Sequence, residues 1–207
     1  MSSSATAPKG GARPLLIVLS GPSGVGKDAV IGELKRRGHP LYHAITATTR
    51  PRRLGETEGV DYYFVSPARF QEMVGGRELL EWASVYGNWY GVPKRQVKEA
   101  LAAGRDVIVR VDVQGATSIK ALAAEAVFIF LAPSSMEELK QRLRQRATEA
   151  AADLRLRLEK AEEEMGRLPM FDYVVVNHQG QVEEAAIQIE AIITAEKCRV
   201  KQRVVEL

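Results

Sequence analysis

The sequence predicts an α/β fold in which a parallel β-sheet core is flanked by helices and carries a small mixed-sheet insertion and a helical lid. Three observations support this fold class. Short runs of consecutive apolar residues recur along the chain, as expected for strands buried on both faces of a parallel sheet. Helical segments separate these runs. Two stretches interrupt the alternation, and a length of 207 residues suits one core with such insertions.

The first predicted elements are a strand and the helix that follows it. Residues 15–19 form an unbroken apolar run, which indicates a buried strand. After a glycine-rich turn, residues 29–36 predict a helix, because Ile31 and Leu34 fall on one side and Gly38 lies just beyond the end.

Three later apolar runs complete the predicted sheet. They occupy residues 107–109, 127–131 and 173–176. A predicted helix over residues 96–103 precedes the first of these runs, and predicted helices over residues 116–124 and 136–146 follow the first and the second. Strands that alternate with helices in this way are typical of a doubly wound sheet.

Two insertions and a tail complete the predicted organisation. Residues 46–92 are rich in aromatic and turn residues and predict a small, partly antiparallel sheet, in which we expect Trp82 and Trp89 to pack in the core. Residues 139–165 predict a charged helical lid. Residues 1–13 are rich in small residues and predict a disordered tail, which leaves residues 14–45, 93–138 and 166–207 as the core.

Composition limits the possible classes of protein. Hydrophobic residues make up 45% of the chain and charged residues 27%, as in ordinary globular proteins. A single cysteine excludes an intramolecular disulfide and fits a reducing compartment, and no apolar run approaches the length of a membrane span. We therefore expect a cytoplasmic protein without a membrane partner. The net charge of +3 permits anionic ligands and gives no support for nucleic acid binding.

The turn after the first strand carries a G-x-x-x-x-G-K spacing. It consists of Gly21, Pro22, Ser23, Gly24, Val25, Gly26 and Lys27. The glycines allow successive backbone N–H groups to face an anion, the helix N-terminus adds partial positive charge, and Lys27 supplies a cation for the outer phosphates. A glycine-rich turn with a surface lysine is the structural alternative. The strand before the motif and the helix after it favour a phosphate loop.

Asp28 follows the loop at the position where a serine or threonine commonly offers a hydroxyl to magnesium. Two interpretations stay open. The Asp28 carboxylate is a hard oxygen ligand that can hold Mg²⁺ directly or through water. Alternatively, its charge favours the positive end of the helix.

A basic turn at the start of the first insertion predicts a second anion site. Arg50, Arg52 and Arg53 surround a proline, and guanidinium groups bind phosphate oxygens in pairs. Such a basic turn is more often solvated surface. The turn alone is therefore weak evidence for an anion site, and the phosphate loop elsewhere in the chain strengthens it.

Seven ordered motifs between residues 15 and 177 resemble the guanylate kinase family. Besides the phosphate loop they are Thr48-Thr49-Arg50, Glu81-Trp82-Ala83, Gly87-Asn88-Trp89-Tyr90-Gly91, Val111-Asp112-Val113-Gln114-Gly115, Arg142-Leu143 and Phe171-Asp172-Tyr173. The resemblance implies a P-loop NTPase-like core that binds ATP and Mg²⁺ along the loop from Gly21 to Asp28.

The resemblance also implies a GMP site. The GMP phosphate would be held by Arg50, Arg53, Tyr62 and Tyr90, and the guanine would face Thr46, Glu81 and Asp112. A carboxylate such as Glu81 can accept hydrogen bonds from N1–H and the amine of guanine, and adenine offers neither donor.

A set of cations would act on the transferring phosphoryl group. By the same resemblance they are Lys27, Arg50, Arg142, Arg146 and Arg157, of which the last three lie in the predicted lid. For Arg144 and Arg155 we expect pairing with glutamates on the same helical segment instead.

Three departures from the family pattern stand out. The proline of the basic turn lies one place early, and Val92 stands where a hydroxyl residue commonly reaches the guanine, so Thr46 is the nearby hydroxyl that remains. Arg110 replaces the first acid of an Asp-x-Asp strand end, while Asp28 brings a carboxylate from the phosphate loop. We treat Asp28 and Arg110 as a paired change, in which the aspartate restores the missing carboxylate.

The resemblance thus implies the activity of a guanylate kinase, which converts Mg·ATP and GMP, and dGMP as well, to ADP and the nucleoside diphosphate in purine nucleotide metabolism. We expect a monomer or homodimer with small-molecule partners. One alternative is a kinase for another phosphorylated acceptor, such as ribose 1,5-bisphosphate, since those enzymes also end the loop with Lys-Asp. A non-catalytic binding module is the other, and the intact loop counts against it.

Overall fold

The protein is described here by a computed structural model that covers residues 12–85, 87–146 and 151–207, with backbone alone for residues 145, 146 and 151–154. In chain order the elements are β1 (Leu16–Ser20), α1 (Lys27–Arg36), β2 (Leu41–His43), β3 (Thr46–Thr48), β4 (Tyr62–Phe64), α2 (Pro67–Gly75), β5 (Leu79–Val85), β6 (Asn88–Pro93), α3 (Lys94–Ala102), β7 (Asp106–Arg110), α4 (Val113–Leu122), β8 (Val127–Pro133), α5 (Met136–Arg146), α6 (Ala151–Met165), a 3₁₀ turn (Leu168–Met170), β9 (Tyr173–Asn177) and α7 (Val182–Lys197).

The core is a five-stranded parallel sheet in the order β2-β7-β1-β8-β9 among the described residues. Its central strand, β1, is buried along its whole length and apolar except for Ser20, because both faces are covered. Ile17 and Leu19 pack toward α1 and α7, whereas Leu16 and Val18 pack toward α3 and α4. This confirms the predicted doubly wound arrangement, and it brings the carboxyl ends of β1, β7 and β8 to one edge, where ligands bind in such sheets.

The predicted insertion forms a second, mixed sheet in the order β4-β3-β6-β5. β3 pairs with β4 in parallel, and the other two pairings are antiparallel. Helix α2 packs on one face through Phe70 and Met73, against Ala47 and Leu79 of the strands. The small, partly antiparallel sheet expected for residues 46–92 is therefore present, with a helix that was not predicted.

The expected core packing is confirmed for Trp89 and wrong for Trp82. Trp89 is half-buried and lies edge-on to Phe70 at 5.3 Å between ring centroids. Trp82 is 45% exposed, because strand alternation places it on the face opposite to Glu81 and Ala83. Its ring instead stacks on Trp89 at 5.5 Å.

Three elements escaped prediction although the sequence carries signals for two of them. The Ser66 hydroxyl accepts a hydrogen bond from Arg69 N at 3.1 Å, and proline follows at the first helical position of α2. In α7, Ala185, Ile189 and Ile193 recur at helical spacing and are buried. β2, with three residues, is too short to show a period.

The lid region, residues 139–165, spans most of α5 and all of α6. These helices meet through Leu139, Leu143 and Ala161. The predicted pairing of Arg155 is confirmed by its 2.8 Å contact with Glu159 one helical turn away. Of the predicted tail, residues 1–11 lie outside the described part of the chain, and the backbone N–H of Arg13 donates to Gln202 Oε1 at 3.2 Å.

Within the described residues, none of the helices combines the length and the apolar character that crossing a bilayer would require.

Candidate active site

The phosphate loop joins β1 to α1 and lies tightly against the ends of β8 and β9. Gly21 has a φ of +142°, and a Cβ atom there would collide with the carbonyl oxygen of Leu131. Gly26 caps α1 with a φ of +103°, and a Cβ there would collide with the side-chain amide of Asn177. Both positions therefore require glycine. The loop opens at the N-terminus of α1, which is the geometry that binds an anion.

The carbonyl of Val25 is fixed from behind by two side chains. Asn177 Nδ2 donates to it at 2.7 Å, and Arg142 Nη1 donates at 2.9 Å. Arg142 Nη2 also donates to the Asn177 carbonyl at 2.7 Å and pairs with Glu138. Arg142, which the sequence assigns to the lid cations, thus contacts the back of the phosphate loop in this conformation.

Lys27 folds back over the loop. Its Nζ donates to the carbonyls of Gly21 at 2.5 Å and Pro22 at 3.1 Å. Burial lowers the pKa of Lys27 to about 8, although the nearby charge of Glu164 opposes the shift. A phosphate that enters the loop would offer this ammonium group anionic partners in place of neutral carbonyls.

One cavity of 320 Å³ joins the phosphate loop to the second sheet. Its lining includes Gly21, Ser23, Gly24, Gly26, Lys27 and Asp28 from the loop, and Thr46, Arg53, Tyr62, Glu81, Tyr90, Arg110 and Asp112 from elsewhere. The two anion sites inferred separately from the sequence therefore face a common space.

Two carboxyl groups lie deep in this cavity. Glu81, on β5, is 6% exposed, and burial, with the nearby charge of Asp112, raises its pKa to about 8. Asp112 caps α4, where Oδ1 accepts from Gly115 N at 2.8 Å, and its Oδ2 is buried without a partner among the described residues. A buried acceptor without a partner is what a ligand with N–H donors would satisfy.

Val92 has no hydroxyl to offer the base at the position where the family commonly has one. Val92 is fully buried in the core and pairs in register with Glu81. Thr46, the hydroxyl expected to remain near the base, lines the cavity from β3.

The basic turn forms a cleft beside this cavity. Arg50 Nη2 contacts Glu56 Oε1 at 2.6 Å, and the Arg50 guanidinium lies 5.3 Å from the ring of Tyr62. Tyr62 and Tyr90 meet edge-on at 6.2 Å, and both line the cleft together with Arg53. The four residues assigned to the acceptor phosphate are thus adjacent, with Glu56 holding Arg50 where an anion would bind.

Asp28 and Arg110 form an ion pair across the cavity. Asp28 lies in the first turn of α1, as both interpretations of it require, and Arg110 ends β7. Arg110 Nη2 also donates to the hydroxyl of Tyr62 at 2.9 Å. The two departures noted in the sequence are therefore in direct contact.

The lid contributes to the cavity through residues other than its predicted arginines. Lys160 and Glu164 of α6 line it, whereas neither Arg142 nor Arg157 is among the described residues that do so. The side chain of Arg146 lies outside the described part of the structure. The roles assigned to these arginines stay predictions.

Arg110, Lys160 and Glu164 are site residues that the motifs did not reveal. For Arg110 a signal existed, because a charged residue at the carboxyl end of a buried parallel strand lies at the ligand-binding edge. Lys160 and Glu164 belong to a highly charged helix in which no pattern distinguishes the side chains that face inward.

Comparisons with known proteins agree with this geometry. The family model described as Guanylate kinase matches residues 13–196. The chain is 46% identical over 196 residues to Guanylate kinase 2, chloroplastic/mitochondrial of Oryza sativa subsp. japonica, covering 94% of this chain and 69% of the relative. It is 43% identical to the guanylate kinase of Carboxydothermus hydrogenoformans, covering 91% of each chain.

A solved structure shows the same fold. The crystal structure of guanylate kinase from Anaplasma phagocytophilum matches with a TM-score of 0.77 and 33% identity, covering 94% of this chain and 92% of that one. With a phosphate loop, a pair of buried carboxyl groups and a basic cleft around one cavity, and with these matches along nearly its whole length, the chain belongs to the guanylate kinase family.

Proposed function

We propose that this protein is an ATP:GMP phosphotransferase that moves the γ-phosphate of ATP to GMP, and to dGMP, giving ADP and the nucleoside diphosphate. The observation that carries the proposal is the single cavity between the phosphate loop and the Glu81 pocket. Such a cavity lets a donor and an acceptor nucleotide lie end to end, with their phosphates in contact.

The reaction needs no nucleophilic side chain. A phosphate oxygen of GMP attacks the γ-phosphorus, the bond from that phosphorus to the β–γ bridging oxygen breaks, and ADP leaves with the electron pair. We propose that Lys27 and the loop amides stabilise the donor phosphates, and that Arg50, Arg53, Tyr62 and Tyr90 hold the acceptor. Arg142, Arg146 and Arg157 add positive charge when the lid closes.

Base selectivity rests on Glu81 and Asp112. In its ionised form, Glu81 accepts hydrogen bonds from N1–H and the amine of guanine. Adenine presents an acceptor at N1 and lacks that amine, so it would leave buried oxygens without partners, a penalty of about 1 to 3 kcal/mol for each group. Thr46 supplies the hydroxyl near the base.

The residues beside the loop do not form a ready magnesium site. Among the described residues there is no group of three or more His, Cys, Asp or Glu that could hold a metal ion, and the carboxylate of Asp28 is engaged by Arg110. Magnesium binds readily through substrate phosphates with one or two carboxylates. We therefore propose that Mg²⁺ enters with ATP, and direct ligation by Asp28 would require Asp28 to release Arg110.

We further propose a cytoplasmic enzyme of purine nucleotide metabolism that acts as a monomer or homodimer, with ATP and GMP as partners and with neither nucleic acid nor membrane among them. The single cysteine and the absence of a long apolar segment in the sequence support this setting.

A coupled assay of ADP release tests the proposed function. We expect rapid release with ATP and GMP, slower release with dGMP, and release at the background rate with AMP or ribose 1,5-bisphosphate. A higher rate with ribose 1,5-bisphosphate than with GMP would assign the chain to the alternative kinase. Background rates with every acceptor would favour a non-catalytic binding module. The Lys27→Met variant, expected to bind GMP and transfer no phosphate, is the matched control.

A further inference from the structure

Arg110 joins the two halves of the site. Its Nη1 contacts the carboxylate of Asp28, directly after the phosphate loop, and its Nη2 donates to the hydroxyl of Tyr62 in the second sheet at 2.9 Å. Its guanidinium also lies 5.3 Å from the centre of the Tyr62 ring. Only 23% of the side chain is exposed.

The same guanidinium faces both cavities. Arg110 lines the 320 Å³ cavity of the phosphate loop and also the neighbouring cleft that contains Arg50. Asp28, Arg53, Tyr62 and Tyr90 line both spaces as well. Arg110 thus lies at the boundary between the donor loop and the cluster of residues assigned to the acceptor phosphate.

Asp28 has the geometry of a positioning group. Its side chain is 69% exposed, so its own charge needs no partner, whereas the mostly buried guanidinium of Arg110 does. A guanidinium carries five N–H donors in a planar fork. Contacts to Asp28 and Tyr62 fix the orientation of that plane and leave further donors for a phosphate oxygen.

We propose that Arg110 binds the acceptor phosphate on the side that faces the phosphate loop, and that Asp28 is a positioning residue that holds Arg110 in place. This inference rests on the proposed function and adds a residue to its acceptor site. The paired change expected from the sequence then has a different meaning: the aspartate anchors the arginine and does not substitute for a lost metal-binding carboxylate.

GMP binding without metal tests the contact directly. Titration calorimetry with GMP and EDTA, in the absence of ATP, measures affinity under conditions in which a magnesium ligand has no role. We expect Arg110→Gln to weaken GMP binding by about 10- to 100-fold, as for loss of charged hydrogen bonds. Asp28→Asn, which keeps shape and removes charge, should weaken binding by about 3- to 10-fold.

The double variant identifies the route by which Asp28 acts. If Asp28 acts through Arg110, adding Asp28→Asn to Arg110→Gln produces no further loss of GMP affinity, and the magnesium concentration for half-maximal activity matches that of the single Arg110→Gln variant. A metal ligand would behave in the opposite way. Asp28→Asn would then leave GMP affinity in EDTA unchanged and raise the magnesium requirement in either background, which would overturn the inference.

Controls separate this inference from folding and from the proposed function. Glu99→Gln breaks an exposed ion pair with Arg95 and should leave GMP affinity unchanged. Arg110→Lys keeps the charge and cannot contact both partners, so we expect intermediate affinity, and thermal melts identify any variant that fails to fold. If the wild type transfers phosphate to GMP while the folded Arg110 variants bind GMP normally, the inference fails and the proposed function stands.

Discussion

Glu81 and Lys27 face the same cavity, and burial moves both toward the neutral form. The pKa of Glu81 rises to about 8, and the pKa of Lys27 falls to about 8. At neutral pH the ligand-free site therefore holds a protonated Glu81, whereas guanine needs an acceptor carboxylate. If guanine binds at Glu81 as proposed, binding removes this proton.

We predict that GMP binding releases a proton from Glu81, about half a proton per site at pH 8 and close to one at lower pH. Guanine binds the ionised form of Glu81, so its apparent affinity should fall by about tenfold for each pH unit below 8 and level off above it. Titration calorimetry at pH 8 in buffers of different ionisation enthalpy measures the proton count. At that pH the phosphate of GMP is already fully ionised, since its second pKa is about 6.

The Glu81→Gln variant is the control for this proton release. Glutamine resembles the protonated carboxyl group, so the variant should fold with nearly unchanged stability. It should lose the pH dependence and bind GMP about 100-fold more weakly, because one acceptor is replaced by a donor. Proton release that persists in this variant would assign it to another group.

The residues of the acceptor site were predictable to different degrees. Glu81 and Tyr90 lie in motifs that carry the family resemblance, so the sequence identified both as candidates, and both line the cavity. Arg110 appeared in the sequence only as a departure, because a single chain does not show which distant residue its charge meets. The contact with Asp28 depends on two segments 82 positions apart, and only the folded sheet brings them together.

At the scale of elements, the close approach of α4 to β5 shapes the cavity around Glu81, where we propose that guanine binds. A Cβ atom on Gly115, in the first turn of α4, would lie 2.5 Å from Glu81 Oε2. Since that oxygen is at the end of a side chain, the clash would mainly move the carboxyl group, while the Val111 Cβ atom, at 3.1 Å, would need only a small shift.

We therefore predict that Gly115→Ala raises the KM for GMP by about tenfold or more, leaves the KM for ATP within about twofold, and has little effect on the melting temperature. Gly32→Ala is the matched control, because its Cβ would meet nothing within 4 Å in the middle of α1. It should stabilise the protein by about 0.4 to 1 kcal/mol without changing either KM. Equal losses of ATP and GMP affinity in Gly115→Ala would contradict this account.

The C-terminal segment is attached through a buried carboxylate. Glu196 of α7 is 1% exposed and accepts hydrogen bonds from Arg203 and from the Tyr173 hydroxyl, the latter at 2.6 Å. Burial alone would raise the pKa of Glu196, and the hydrogen bonds from Arg203 and Tyr173 outweigh it and lower the pKa to about 2. The carboxylate stabilises the fold fully above its ordinary pKa of 4.5, and the contribution is lost as pH falls toward 2.

We predict that Arg203→Met lowers the free energy of unfolding by about 3 kcal/mol at pH 7, because it leaves a buried charge without its main partner. The loss should shrink as pH falls below 4.5, since the remaining carboxyl group can then be protonated. Urea denaturation at several pH values measures both effects. Arg95→Met, at an exposed pair, should cost less than about 1 kcal/mol, and similar losses for both variants would refute the assignment.

The elements of the core were more predictable than those of the insertion. Runs such as residues 127–131 are apolar because both faces of the sheet are covered, and an unbroken apolar run can be recognised as a buried strand from the sequence alone. In the insertion, β4 has three half-buried residues, and its pairing with β3 is set by contacts distant in sequence. The burial of Trp82 also depends on tertiary packing: its ring stacks on Trp89, which packs against Phe70 of α2, yet Trp82 stays 45% exposed.

At the scale of the whole molecule, the proposed nucleotide sites lie in a cavity lined by segments that are distant in sequence and meet only in the folded chain. A ligand that binds only the folded state at 100 times its Kd adds about 2.7 kcal/mol of stability. For a chain of this length we predict that GMP at that concentration raises the melting temperature by about 5 to 10 °C. AMP at the same concentration should produce no comparable shift, and an equal shift with AMP would contradict guanine selectivity.

The hydrogen bonds from Asn177 and Arg142 to the Val25 carbonyl affect the entropy cost of binding the donor nucleotide. Because neighbouring side chains fix its conformation, the phosphate loop loses its conformational freedom when the chain folds. The entropy cost of ordering the loop on nucleotide binding is therefore small. Arg142 lies in the predicted lid, so the lid closure proposed above would require its guanidinium to leave the Val25 carbonyl and turn toward the bound phosphates.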